Sequence, residues 1–451
     1  MSSVTPASRR SPPLAAFLSF LWPGLGQWYT GRTRAAIIFA VPVAIVVFVL
    51  FAWLAGGLER AVLGMLLPTV ALTVAVLVLA DAAWRIASTV HAAWVAGGPQ
   101  FLRRPATAGT VVALTLIVLV THLWAAAVAW SLYGAATTIF VPPIAVGPTQ
   151  PPPTAGATDD FQATPAATPP TKDSRINVLI TGIDSSENRS HALTDTLIVV
   201  SVDPTTGDVS MVSFPRDISN FPEPDGTNYP RKINSLMTYA TNHPDEYPNG
   251  GLPSLMEDLG SLLGVPIHYY AAVDLAGFAR LVDAVGGVTI DNPRAINDPS
   301  YGGWSNGKVG FRLSAGKHTL DGETALAYAR SRKGSGDNDF TRARRQQQLL
   351  LALRSRLTDP ALLPQLPSIV SAGAETIRTN FPQDRIQEML TIAQAIEGDD
   401  SIKRVVLGPP YAKNPPAGTP GGYQLYLDMD RLSKLSLDLY GEDSAYAAAT
   451  R

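Results

Sequence analysis

Between positions 330 and 345 the chain carries Arg330, Arg332, Lys333, Arg342, Arg344 and Arg345, against only Asp337 and Asp339. Arg330 and Arg332 stand two apart, so an extended segment would turn both side chains to one face. Arg342 and Gln346 stand four apart and would stack on one face of a helix. Guanidinium forks meet phosphate oxygens in pairs, which an ammonium does not. Near a helix start, Arg342 would add its charge to backbone amides that favour an anion. The same spacing also suits a solvated, charged helix face bracing a loop. Gly334 and Gly336, between the two arginine groups, suit either a flexible turn or a lid over phosphate.

A second group sits where strands are expected to end: Asp184, Asp195, and the Arg216-Asp217 pair behind Pro215. Ligands of α/β sheets gather beyond strand termini. Magnesium commonly takes one or two carboxylates and fills its remaining sites with substrate phosphate and water. Turn-capping is the plainer role for each Asp taken alone.

Several chemistries are excluded or disfavoured. With no cysteine there is no disulfide, thiol nucleophile or Cys-based metal site. The six histidines lack ligand spacing. Residues 1–140 sum to +6, so the remainder sums to −8, the wrong sign for binding nucleic acid.

The elements that must position these side chains follow from hydrophobic pattern. Ile176–Thr181 reads as a buried strand, and Thr196–Val202 with Val209–Phe214 as a hairpin across Asp203-Pro-Thr-Thr-Gly207. Helical spacing covers Leu252–Leu263, Asp274–Val285, Asp321–Ala329 and Thr341–Leu357, with strands at Ile267–Val273 and Val288–Asp291. A helix near Gln383–Glu397, strands near Arg404–Leu407 and Gln424–Asp428 and a last helix complete the pattern. The predicted fold is α/β: a layered α/β/α domain around a mixed central sheet over residues 175–445, preceded by an all-α transmembrane region.

That transmembrane region, residues 1–140, contains three apolar stretches long enough to span: Ala35–Gly56, Ala61–Ala80 and about Thr110–Ser131. Arg9, Arg10, Arg32 and Arg34 precede the first span, and Arg85, Arg103 and Arg104 follow the second. Both flanks are therefore expected in the cytoplasm, and everything after about residue 140 outside. Trp84, His91 and Trp94 would share one face of an interfacial helix. Leu14–Tyr29, broken by Pro23, Gly24 and Gly26, reads as re-entrant or interfacial, with a fourth span as the rival count. Its Pro-Gly-x-Gly-x-x-Tyr-x-Gly run resembles the opening of small two-span membrane domains, and equally suits a bend. Residues 141–174, rich in proline, read as an extended extracytoplasmic spacer.

The soluble part resembles the LytR-CpsA-Psr family of cell-wall glycopolymer ligases. The resemblance rests on ordered strings over about residues 175–355: Asn177-Val-Leu-Ile-Thr-Gly-Ile-Asp184, Thr194-Asp-Thr196, Ser213-Phe-Pro-Arg-Asp217, Lys232-Ile-Asn234, Gly286-Gly-Val-Thr-Ile290, Leu320-Asp-Gly-Glu-Thr-Ala-Leu-Ala-Tyr-Ala-Arg-Ser-Arg332 and Asp339-Phe-Thr-Arg-Ala-Arg-Arg-Gln-Gln-Gln348. It implies that Asp184 and Asp195 hold Mg2+ on a diphosphate, that Arg216, Arg330, Arg332, Arg342 and Gln346 grip the phosphates, and that Asp339 lies close by. It also implies an apolar pocket for a polyprenyl tail. The partners implied are a polyprenyl-diphosphate-linked glycan, peptidoglycan and the lipid bilayer. The chain departs from the family in having Leu193 where an arginine is usual, with Arg189 as a possible substitute, and in having several spans. A polyprenyl-diphosphate hydrolase and a non-catalytic lipid sensor are the competing readings.

Overall fold

The structure is a computed structural model, and it describes residues 10–55, 61, 64–140, 174–184, 193–357, 359–385, 402–416, 419–420 and 422–449. It divides into two compact units, Met1–Gly134 and Ala135–Arg451.

The first unit is helical: α1 (Pro12–Leu21), α2 (Leu25–Tyr29), α3 (Thr33–Leu54), α4 (Pro68–Gly97) and α5 (Pro105–Ile139). The last three are long and apolar enough to cross a membrane. α1 and α2, at 10 and 5 residues, are too short to do so. Between them Gly24 adopts φ 102°, a left-handed turn that favours glycine. A Cβ on Gly26 would lie 2.0 Å from the Ala15 carbonyl oxygen, so the bend brings backbones into contact. Buried Ser19 donates to Gln27 at 2.8 Å, and Gln27 donates to the Ser88 carbonyl of α4 at 2.9 Å.

The expected second span, Ala61–Ala80, is corrected. α4 starts at Pro68 and continues through the segment expected to lie beyond the membrane. Nothing breaks the helix there, because Asp81 accepts from Arg85 one turn on at 2.7 Å and pairs with His122 of α5 at 3.1 Å. Trp84, His91 and Trp94 do share a face: Phe39 contacts both Trp84 and His91, and His91 contacts Trp94.

The second unit is built on a six-stranded mixed sheet. Its strands are β1 (Ile176–Asp184), β2 (Leu193–Val202), β3 (Val209–Ser213), β4 (Tyr269–Asp274), β5 (Ile377–Thr379) and β6 (Ile402–Val406), in the order β5-β4-β1-β2-β3-β6. β1 and β4 run parallel, as do β3 and β6, while the other neighbours are antiparallel. Strand alternation divides the core between two faces. Leu179, Leu197, Val199 and Val212 face one layer with α6 (Gly251–Leu263). Ile180, Ile198, Val200 and Met211 face the other, against Leu350 and Leu351 of a long helix. That second layer holds α7 (Leu275–Ala284), α8 (Gly322–Arg330) and the long helix α9 (Asp339–Leu357). Asp274 and Asp321 cap α7 and α8, each accepting from a backbone amide three residues on. The layered α/β/α architecture is therefore as expected. The helix expected near Gln383–Glu397 falls mostly outside the described residues.

Candidate active site

The β1–β2 register shifts at Gly182/Ile183: Thr196 pairs with Gly182 and Thr194 with Ile183, so Asp195 is the extra residue of a bulge. Bulges re-aim a side chain out of the ladder, and here the carboxylate meets Arg216, whose Nη1 donates to Asp195 Oδ1 at 2.8 Å. Arg216 leaves the end of β3 through Phe214-Pro215. Its Nε lies 3.7 Å from Asp217, too far for a hydrogen bond. Asp217 is buried and held at 2.5 Å by Lys232 Nζ. On the helical side Arg342 Nη2 lies 3.0 Å from Asp339 Oδ1, and Arg332 Nη1 lies 3.9 Å from the same oxygen.

The two halves meet at Asp217 and Asp339, whose carboxyl groups face each other closely enough to share a proton. Burial and that neighbour push Asp339 above the ordinary carboxylate range, with Arg342 and Arg216 opposing. Burial also works against ionised Asp217, but its hydrogen-bonded neighbours, with the charges of Lys232 and Arg216, hold it below that range. The pair therefore splits: Asp217 keeps its charge and Asp339 is the one poised to carry a proton.

Two buried donors in this cluster lack acceptors among the described residues, Arg216 Nε and Arg342 Nε. An orphaned buried donor costs about 1–3 kcal/mol, and a guanidinium remains charged even where burial works against it, as at Arg342. Such donors are satisfied by an incoming anion. Residues beside them extend the site into an apolar cleft of about 80 Å³ lined by Ile180, Thr196, Ile198, Phe278, Leu326 and Gln346. Asp195 and Thr196 are consecutive, and Arg342 and Gln346 are one turn apart on α9. Charged cluster and apolar cleft therefore adjoin.

The sequence-predicted residues fare differently. Asp195, Arg216, Arg332, Arg342 and Asp339 converge. Gln346 adjoins them at the cleft, donating to the Ala329 carbonyl at 3.4 Å. Arg330 and Arg332 do not share an extended segment: Arg330 closes α8, and its charge is felt at the buried Tyr301 phenol, while Arg332 follows in the loop. The open helix start expected beside Arg342 is corrected too, because Asn338 Oδ1 accepts from the amides of Phe340 and Thr341 at 3.0 and 2.9 Å. Asp184 ends β1 opposite Leu193; both side chains, like all of Arg189, lie outside the described residues.

Asp217, grouped with the strand-end carboxylates in the sequence, joins the cluster, and the residues missed by spacing are Lys232 and Asp298. The last is buried and accepts from Ser331 Oγ (2.9 Å), Arg332 N (3.2 Å) and Lys333 N (3.1 Å), fixing the loop that carries Arg332. These bonds hold the Asp298 carboxyl below its ordinary range despite burial. Asp298→Ala strands these donors and is expected to lower unfolding free energy by about 1–3 kcal/mol in denaturant titration. For the native chain, that stabilisation is present above the carboxyl's unfolded value and lost as pH falls through the depressed folded one.

The LytR_cpsA_psr family model matches residues 154–413. The chain belongs to the LytR-CpsA-Psr family. This LytR-CpsA-Psr chain is 31% identical over 215 residues to the polyisoprenyl-teichoic acid–peptidoglycan teichoic acid transferase TagU of Halalkalibacterium halodurans, covering 48% of this chain and 64% of that one. It is 32% identical over 229 residues to the transferase of the same description, TagV, of Bacillus subtilis, covering 51% and 54%. The chain thus spans less than two thirds of the length of these curated relatives. The crystal structure of B. subtilis TagV superposes with a TM-score of 0.46 at 28% identity, over 59% of this chain and 96% of that chain.

Proposed function

We propose that this LytR-CpsA-Psr protein is a membrane-anchored phosphotransferase. It moves a glycopolymer from a polyprenyl-diphosphate carrier to peptidoglycan, with the catalytic unit outside the membrane. The observation that carries the reading is the pair of orphaned guanidinium nitrogens on Arg216 and Arg342, in a cluster whose neighbours Thr196 and Gln346 line an apolar cleft. A diphosphate on a hydrocarbon tail matches both halves.

In this reading the tail enters between Ile198 and Phe278, and Arg216, Arg332 and Arg342 hold the phosphates. An acceptor sugar hydroxyl attacks the sugar-proximal phosphorus and gives its proton to Asp339. The bond to the bridging oxygen breaks, and polyprenyl phosphate leaves. Asp339 is the carboxyl chosen for proton acceptance because burial raises it above the ordinary carboxylate range. Positioning and charge neutralisation do most of the work in such transfers.

A magnesium ion fits the donor set: Asp195 has a second carboxylate oxygen with no partner among the described residues, and Asp184 ends the adjoining strand. When bound it would neutralise phosphate charge, its other ligands coming from phosphate and water.

The deciding experiment incubates the full chain with lipid-linked oligosaccharide, with and without peptidoglycan. A phosphodiester-linked conjugate supports the transferase; free glycan phosphate would instead mark a hydrolase, and binding without turnover a sensor. A second test fills the cleft. Leu326→Trp is expected to raise KM roughly tenfold for long polyprenyl carriers and much less for a short-prenyl analogue, since each excluded methylene forfeits about 0.8 kcal/mol.

A further inference from the structure

α9 has two working faces. Asp339, Arg342 and Gln346 address the phosphates and the cleft. Thr341, Arg344, Arg345 and Gln348, rotated about a third of a turn away, line an open groove of about 810 Å³ closed on its far side by Arg404 and Tyr411 near β6.

The groove is cationic. It holds four guanidinium groups, Arg294, Arg344, Arg345 and Arg404, against Asp291 and Asp337. Asp337 is already neutralised, lying 3.2 Å from Arg294 and 2.8 Å from Arg345. Arg344 and Arg404 are exposed and have no ion-pair partner among the described residues. Arg345 is buried, with its Nη2 held against Asp337. A neutral glycan would want exposed aromatic faces, and the groove offers little: Tyr328 is fully buried and Tyr411 half-buried. Guanidinium groups along an open trough suit a chain that repeats its negative charge.

We propose that this groove carries the anionic polymer borne by the lipid carrier, a run of phosphodiesters or carboxylates leading away from the diphosphate along the other face of α9. The inference rests on the proposed donor. Arg342 and Arg344 are two residues apart on one helix, so a chain starting at the diphosphate needs only a few sugars to reach the groove.

The test uses the full chain in neutral-lipid nanodiscs with three lipid-free probes: poly(glycerol phosphate), a polyuronate and dextran. One or both anionic polymers are expected to bind, more weakly as salt rises, and dextran is not; which anion binds better distinguishes phosphate from carboxylate. R344E/R404E is expected to weaken that binding roughly tenfold or more, and R344K/R404K to retain most of it. The same Glu variant should turn over a lipid-linked disaccharide at the parent rate while slowing on the long anionic polymer. Dextran binding as well as the polyanions, or equal polyanion binding by parent and Glu variant, overturns the groove assignment, as does a loss in the Lys variant as deep as in the Glu variant. Arginine-dependent polyanion binding without any turnover leaves the groove standing and removes the transferase reading instead.

Discussion

Arg342→Ala is expected to lower transfer by about 10²–10³, the usual loss when one preorganised charge contact to a transition state is removed. The side chain is 5% exposed, so water does not replace it. It supplies both an orphaned Nε for the ligand and the contact at 3.0 Å that balances Asp339. Deleting one partner of a buried ion pair commonly costs about 3–5 kcal/mol of stability. Here the penalty should fall below that, because Asp339 already sits above the ordinary carboxylate range and can take up a proton when its partner goes. Single-turnover transfer with a synthetic lipid-linked donor, read beside the melting temperature, separates the two effects. Arg342→Lys keeps the charge without the fork and should recover stability more than rate. Parent-like transfer by a folded Arg342→Ala would remove this residue from the phosphate site.

Much of this arrangement is legible in the sequence. Short apolar runs in Ile176–Thr181 and Thr196–Val202 predict the sheet, and the helical pattern of Thr341–Leu357 predicts the helix that presents Arg342 and Gln346. The strings that resemble the LytR-CpsA-Psr family mark Asp195, Arg216, Arg332 and Asp339 as one site, and these do converge. What could not be read is long-range placement. Asp217 and Lys232 lie 15 residues apart and meet only because the chain doubles back through the Ser219–Pro222 and Asn228–Lys232 hairpin. Asp298 reaches its loop across 33 residues, a separation at which spacing carries no signal. The start of α9 is readable from Asn338, since Asn before a helix is a preferred cap, and it occupies amides that would otherwise face an anion. The beginning of α4 at Pro68 is not legible, because apolar composition says where a helix can lie in a bilayer, not where its first hydrogen-bonded turn forms.

Asp339→Asn is expected to lower transfer by about 10²–10⁴, the range for losing a positioned general base, and to abolish the acidic limb of the pH–rate profile. That limb belongs to the Asp217–Asp339 pair rather than to either carboxyl alone. Asp339 is raised mainly by burial, with its facing neighbour adding to the shift, so in the parent the limb should lie above the ordinary carboxylate range. Asp217→Asn takes away the like charge while leaving Lys232 and Arg216, and both changes favour ionised Asp339. The limb should therefore move to lower pH. Stability carries the same signature with opposite signs for the two groups. Asp339 binds its proton more tightly in the folded chain, so its contribution is present at low pH and is lost as pH rises through its raised folded value. Asp217 contributes above its unfolded value, and that contribution is lost as pH falls through its lowered folded one. The kcat/KM profile of the parent and both variants, with melting temperatures at matched pH, tests the division of labour. If Asp217→Asn leaves the limb in place, or shifts it upward, the two carboxyls do not share a proton and Asp339 is not the base.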